Sequence, residues 1–314
     1  KDTCFNDADC GGGSSGHCMV GADGVRSCVG VGCAVGRPFL VGGAARVAET
    51  TARSDWSSSL VPDVSGLSAE TRAALAAHWK DTALLEHASV AAFARFALDL
   101  LAFGAPPELL VATNDAMADE LRHARDAFAL AAAYQGGRVG PGRLEVAGAL
   151  GASSLADALK NTVLEGCIGE TVAAVEATEA LSYATDPAVC AALARVSEDE
   201  ARHAVLAWRF VQWTLDHAES GGERTELATV LVNTVAAECA VMRDDAMRPG
   251  NPETNPLLAA HGVLSRPTRD EIRRRVLVEV VAPCALALAM KDEAAAGQVE
   301  TRATECRAWG PPSA

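Results

Sequence analysis

Two near-copies of one five-residue string constrain this chain more than any other feature. They are Asp119-Glu120-Leu121-Arg122-His123 and Asp199-Glu200-Ala201-Arg202-His203. Each sets a glutamate and a histidine three residues apart within helix-forming sequence. On an α-helix, positions i and i+3 share a face with Cβ atoms about 5–6 Å apart, close enough to grip one cation together. A single Glu-x-x-His arises by chance on solvated helix faces, but here the pair is repeated with a further glutamate at similar distance. Aligning Leu85-Glu86-His87-Ala88 with Leu164-Glu165-Gly166-Cys167 puts Glu86 opposite Glu165. Glu86 precedes Glu120 by 34 residues and Glu165 precedes Glu200 by 35. The chain therefore reads as a duplicated helical hairpin, with Glu on the first helix and Glu-x-x-His on the second.

Four such helices converge four carboxylates and two histidines, the ligand set of a di-iron or di-manganese bundle. Six solvated surface residues would be the plainer reading, and the flanking sequence opposes it. Glu86 sits between Leu84-Leu85 and Val90-Ala91-Ala92-Phe93, and Glu165 between Val163-Leu164 and Ile168. Carboxylates buried in such surroundings cost many kcal/mol unless cations answer them. A structural salt-bridge network is the alternative, with only Arg122 and Arg202 near in sequence to supply it.

Over about residues 76–218 the chain resembles the ferritin-like di-iron carboxylate superfamily. The Asp/Glu-Glu-x-Arg-His form is more similar to soluble acyl desaturases, bacterial multicomponent monooxygenases and related oxidases than to storage ferritins. This resemblance implies that Glu120 and Glu200 bridge two metals, that Glu86 and Glu165 are terminal carboxylates, and that His123 and His203 bind one metal each. It further implies an outer network of Asp119, Arg122, Asp199 and Arg202 around the histidines, where a metal-bound imidazole donates its other N–H. Ordinary surface ion pairs are the alternative for these four. No catalytic group beyond the ligands is expected. The implied cofactor is two iron ions, or a manganese–iron or dimanganese pair, because both metals suit mixed carboxylate and imidazole sites.

The halves differ beside the metal. Gly166 and Gly169 stand where the first helix has His87 and Val90. Glycine within a helix costs up to ~1 kcal/mol relative to alanine. Close helix packing would explain the pair. So would space for dioxygen or substrate, or a bulge that swings Glu170 toward the metals. On a regular helix Glu170 lies about 140° from Glu165, at 100° per residue. Glu176 shares the Glu165 face three turns on, and fits an access path or outer position better than a ligand.

The expected fold is all-α: a ferritin-like four-helix bundle with a long crossover between helices 2 and 3, two extra C-terminal helices and a small disulfide-rich N-terminal module. Residues 1–35 hold Cys4, Cys10, Cys18, Cys28 and Cys33 among Gly, Ser, Asn and Asp. Such a segment cannot build an apolar core, and close cysteines there form disulfides. A zinc site is the weaker reading, since no Cys-x-x-Cys is present and only His17 could assist. Five is odd, so Cys306 is a candidate distant partner. Residues 36–67 read as a linker with one candidate hairpin, Pro38 to Val41 and Ala44 to Val47 around Gly42-Gly43.

Residues 68–218 form the bundle, with helices at about 78–103, 108–134, from 154, and from Asp186-Pro187, which supplies a cap and a first turn. The stretch 136–153 is the long connection. Residues 219–314 add helices at about 223–247 and 268–295, the second opened by a capping box at Thr268-x-x-Glu271. Glu238 and Glu279 lie in apolar runs there, read as partners of arginines such as Arg243 or Arg273 and, less simply, as a relay to the metals. Cys167, Cys190, Cys239 and Cys284 fall on helices, as two bridges or as buried thiols.

A net charge of -14 opposes nucleic-acid binding, which needs a basic face. No apolar run reaches the roughly 18 residues that span a bilayer. The disulfides, and a start at Lys1 without an initiator Met, point to an exported chain (periplasmic, cell-surface or extracellular) whose signal segment precedes this numbering.

The leading expected function is a di-metal oxidoreductase that activates dioxygen or peroxide to oxidise a small-molecule substrate, with an external electron donor. A ferroxidase or peroxide-scavenging protein is the second reading, and a metal-stabilised scaffold displaying the cysteine-rich module is the third. A tyrosyl-radical role is disfavoured, because Tyr134 and Tyr183 are the only tyrosines and lie several turns from the ligands.

Overall fold

A computed structural model describes residues 16–20, 26–30, 37–150, 154–245 and 255–290. The chain divides into a small unit, Lys1–Ala34, and a large one, Val35–Ala314. In the small unit, β1 (Gly16–Val20) and β2 (Arg26–Gly30) form an antiparallel hairpin in which Cys18 and Cys28 are register partners. Of the disulfide candidates, Cys4, Cys10, Cys33 and Cys306 lie outside the described residues, as do the side chains of Cys18 and Cys28. Cys167, Cys190 and Cys284 are free thiols, and Cys239 is buried.

The large unit is mostly helical. Its linker begins with β3 (Leu40–Val41) paired to β4 (Ala44–Ala45), a shorter hairpin than the sequence suggests. Gly42 and Gly43 both take positive φ, 61° and 80°, which the tight turn of a two-residue hairpin demands. β5 (Thr50–Thr51) then pairs with β6 (Gly140–Pro141) in the long connection, a contact no local pattern announces.

Helix α1 (Ala69–Ala102) is capped by Ser68, whose side chain accepts from the Thr71 N–H. It turns at Gly104 into α2 (Pro107–Gln135), which packs along it. The third rod is composite. α3 (Leu155–Thr162) opens with a capping box between Ser154 and Asp157, widens into a π-helical segment, Val163–Glu170, and continues as α4 (Thr171–Tyr183). α5 (Pro187–Asp216) packs on α4, on the π segment and on α2. Across the last interface, Arg195 of α5 is ion-paired with Asp126 of α2.

α6 (Gly221–Asp245) lies against α3 and α9. α7 (Pro256–Ala260) and α8 (Arg266–Val276) follow, and a second π segment (Leu277–Val281) joins α8 to α9 (Ala282–Ala289). The cap of α8 differs from the Thr268-x-x-Glu271 box: Ser265 accepts from the Thr268 N–H. Pro267 in the first turn, with its fixed φ, moves the start of the helix forward. Glu238 pairs with Arg273 at 2.7 Å, and Glu279 is exposed. Neither joins the buried acidic groups Glu86, Glu120, Glu170 and Glu200. Among the described residues no helix is long and apolar enough to cross a membrane.

Asp186 ties two parts of the large unit together. One carboxylate oxygen caps α5 by accepting from the Ala188 and Val189 N–H groups at 2.9 and 3.0 Å, and the other accepts from Asp63 of the linker at 2.7 Å. Asp186→Ala removes the cap and strands these donors, so we expect a loss of about 1–3 kcal/mol. An unchanged chemical-denaturation midpoint would show that water replaces the carboxylate.

Candidate metal centre

The i, i+3 spacing on α2 and α5 turns Glu120 with His123, and Glu200 with His203, into the interior. All four are at most 2% exposed. Glu86 reaches the same place from α1 and Glu170 from the π segment, both fully buried. Two groups result: Glu86, Glu120, His123 and Glu200, and Glu120, Glu170, Glu200 and His203. Within each, one donor atom per residue lies within 4.8 Å of every other. Glu120 and Glu200 belong to both groups.

The imidazoles present Nδ1 to these carboxylates. His123 Nδ1 lies 3.4 Å from Glu200, 3.7 Å from Glu86 and 4.0 Å from Glu120. His203 Nδ1 lies 3.1 Å from Glu120 and 3.7 Å from Glu200. Nevertheless, both oxygens of Glu86, Glu120, Glu170 and Glu200, and Nδ1 of both histidines, have no hydrogen-bond partner. Buried polar atoms without partners are rare in native proteins. A set of them pointing at one another is the signature of a cation-binding cage, and this group could hold a metal ion.

The other imidazole nitrogens are taken, and the pairing crosses between motifs. His123 Nε2 donates to Asp199 at 2.9 Å, and His203 Nε2 donates to Asp119 at 3.3 Å. Arg122 pairs with Asp119, and Arg202 reaches both Asp199 and Asp119. Each aspartate therefore fixes the ring of the opposite motif, leaving Nδ1 facing the inward carboxylates.

Protonation reflects the crowding of charge. Burial and the neighbouring Glu120 push Glu86 well above the usual carboxylate range, and burial with Glu200 and Glu120 does the same for Glu170. Burial opposes charge on His203, but Glu120 and Glu200 outweigh it and hold its pKa at about 10.

Glu165, aligned with Glu86 in the sequence, is not in this cage. It turns the other way, onto Arg95 of α1 and onto Arg37, whose Nε lies 3.5 Å away. Both arginines are buried, Arg37 at 1% exposure. The sequence places only Arg122 and Arg202 beside the acidic groups. Arg37 and Arg95 are the cations that reading lacks, one from a linker and one standing alone in the apolar run Phe93-Ala94-Arg95-Phe96. The π segment accounts for the exchange. Its wider turn alters the phase of the rod, so that five residues after Glu165 the Glu170 carboxylate meets His203 and Glu200. The one sign of this in the sequence is the pair of glycines.

Gly166 needs its missing side chain: a Cβ there would lie 2.5 Å from that of Ala207 on α5 and 3.5 Å from Arg37 Nη2. Close packing is therefore its reason, in place of an open channel. Glu176 is buried on α4 outside the cage, with Arg269 and Arg273 acting on it.

No known protein family, curated protein or solved structure matches the chain.

Two outcomes are expected. Asp119→Ala or Asp199→Ala frees an imidazole to rotate, so metal affinity should fall about 10–100-fold; titration with Mn(II) at an affinity equal to the parent would contradict this. Burial raises Glu176 to about 7 against the offsetting arginines. Its folded pKa lies above the unfolded value of 4.5, so the stability it contributes is present below pH 4.5 and lost as pH rises through about 7. Glu176→Gln should therefore gain about 1–3 kcal/mol over the parent at pH 8 and little at pH 4.5. Equal differences at both pH values would rule out this titration.

Proposed function

We propose that the chain is a di-metal carboxylate oxidoreductase, in which α1, α2, the composite α3–π–α4 rod and α5 act as a ferritin-like four-helix bundle around two iron ions or a manganese-containing pair. The observation that carries this reading is the cage of buried carboxylate oxygens and imidazole nitrogens without hydrogen-bond partners. The donor set fits the group. Glu86 and His123 would serve one metal, Glu170 and His203 the other, and Glu120 and Glu200, shared by both groups, would bridge. Four carboxylates offset the charge of two divalent ions, and a carboxylate-rich, imidazole-containing set suits iron or manganese.

When bound, such a pair supplies the capacity to reduce dioxygen or peroxide with electrons from an outside donor. The chain's own contribution is positional. Asp119 and Asp199 hold the imidazole N–H groups and so fix the tautomer. Phe93, whose ring centroid is 5.2 Å from that of His203, walls the centre with an apolar face. Its companions Phe96 and Phe210 extend that apolar packing, which keeps bulk water from the centre. Substrate oxidation, rather than iron storage, is the reading we adopt, together with an exported location.

Purified protein should contain close to two equivalents of iron or manganese by elemental analysis. Combining Glu120→Ala with His203→Ala should leave well under one. A parent protein that neither carries nor takes up either metal would sink the proposal. Reduction without oxygen followed by exposure to it should produce a transient absorbance in the parent alone.

A further inference from the structure

The linker segment 37–41 has no role in the ligand set, yet it lies across the π segment and is held there by buried polar contacts. Leu40 N–H donates to Glu165 Oε1 at 3.3 Å. Arg95 donates to both the Leu40 carbonyl and the same Glu165 oxygen. Ser89 Oγ donates to the Arg37 carbonyl at 2.7 Å. The Arg37 guanidinium rests 4.6 Å from the centroids of both Phe93 and Phe96, and that of Arg95 lies 5.3 Å from Phe39. Half-buried Asp99 adds a second acidic group to the surroundings of both arginines. Glu165 is the knot: it joins the linker, α1 and the third rod, and it lies within the widened segment Val163–Glu170, five residues before Glu170.

A π turn closes i→i+5 and accommodates a residue that a regular helix has no room for. Relaxing it to α geometry would rotate the rest of the rod by about 100°, carrying Glu170 away from His203. α5 packs along α3, the π segment and α4, while the linker and α1 hold the π segment through Glu165. On the basis of the di-metal reading, we propose that Arg37, Arg95 and the Leu40 N–H form a clamp on Glu165 that sets the phase of the π segment, and so creates the metal site of Glu170 and His203 without governing that of Glu86 and His123. Glu165 is thus a positioning residue, kept from the metals by its arginines.

Loss of the clamp should act on one ion alone. In Mn(II) titrations of the full chain, the parent should bind two ions. Glu165→Gln, and the combination Arg37→Met, Arg95→Met, Glu165→Met, should weaken one ion by at least tenfold, within the usual range for supports of metal ligands, and leave the other within about threefold. The triple change removes every charge of the clamp together, which avoids stranding one in the interior; should it fail to fold, Glu165→Gln carries the test.

Background variants identify the affected ion. With Glu86→Ala present, the clamp change should abolish most remaining binding. With Glu170→Ala present, it should change the remaining affinity little. Folded clamp variants that hold both ions at parental affinity, or lose both equally, would overturn the clamp while leaving the di-metal reading intact. A parent that binds no Mn(II) would overturn both.

Discussion

Four glutamates whose carboxylates all face one small volume cannot share it as anions without a countercharge. The interior of this protein is arranged around that constraint. Glu86, Glu120, Glu170 and Glu200 are fully buried, and none of their oxygens finds a hydrogen-bond donor. Each ion moved from water into a medium of low polarity costs several kcal/mol after relaxation. Protonation of Glu86, Glu170 and the histidines can relieve part of this in a metal-free chain, while divalent cations relieve it with a geometry that the histidines already present. The helices that carry these residues must then meet at close quarters, which the alanine-rich faces of α1, α2 and α5 permit.

Around the cage runs a layer of opposite logic, in which Asp119, Asp199 and the outer imidazole nitrogens are paired. Asp119 and Asp199 accept from histidines of the opposite motif and from arginines of their own. The crossing couples α2 and α5 so that neither imidazole can turn without disturbing the other helix. Asp199 shows the result: burial acts to raise its pKa, but His123 and Arg202 outweigh it and hold the carboxyl below its ordinary value. The contrast between paired outer groups and an inner set without partners marks the group that could hold a metal ion.

On the other side of the π segment, Glu165 has its own cations. One rod thus presents two buried glutamates to different partners, one to arginines and one to the cage. The two are told apart by what packs on them. Arg95 is brought by α1 and Arg37 by a linker more than a hundred residues earlier in the chain, and no periodicity within the rod could indicate either. Alignment of the two halves selected Glu165 because the duplication is imperfect: the second half contains the widened turn and the first does not.

Local chemistry in the sequence set much of the molecule. Ser154 and Asp186 with Pro187 marked helix starts, because capping depends on residues within a turn of one another, whereas α1 begins at Ala69, well before the expected start near 78. The i, i+3 spacing in the two motifs fixed which side chains of α2 and α5 share a face, since helix geometry leaves no alternative. Tertiary structure decided what depends on partners distant in the chain. The pairing of β5 with β6, the capture of Glu165 by Arg37 and Arg95, and the substitution of Glu170 at the cage all arise between separate segments. A helix turn widens only when its surroundings reward the lost regularity, and those surroundings exist only once the chain has folded.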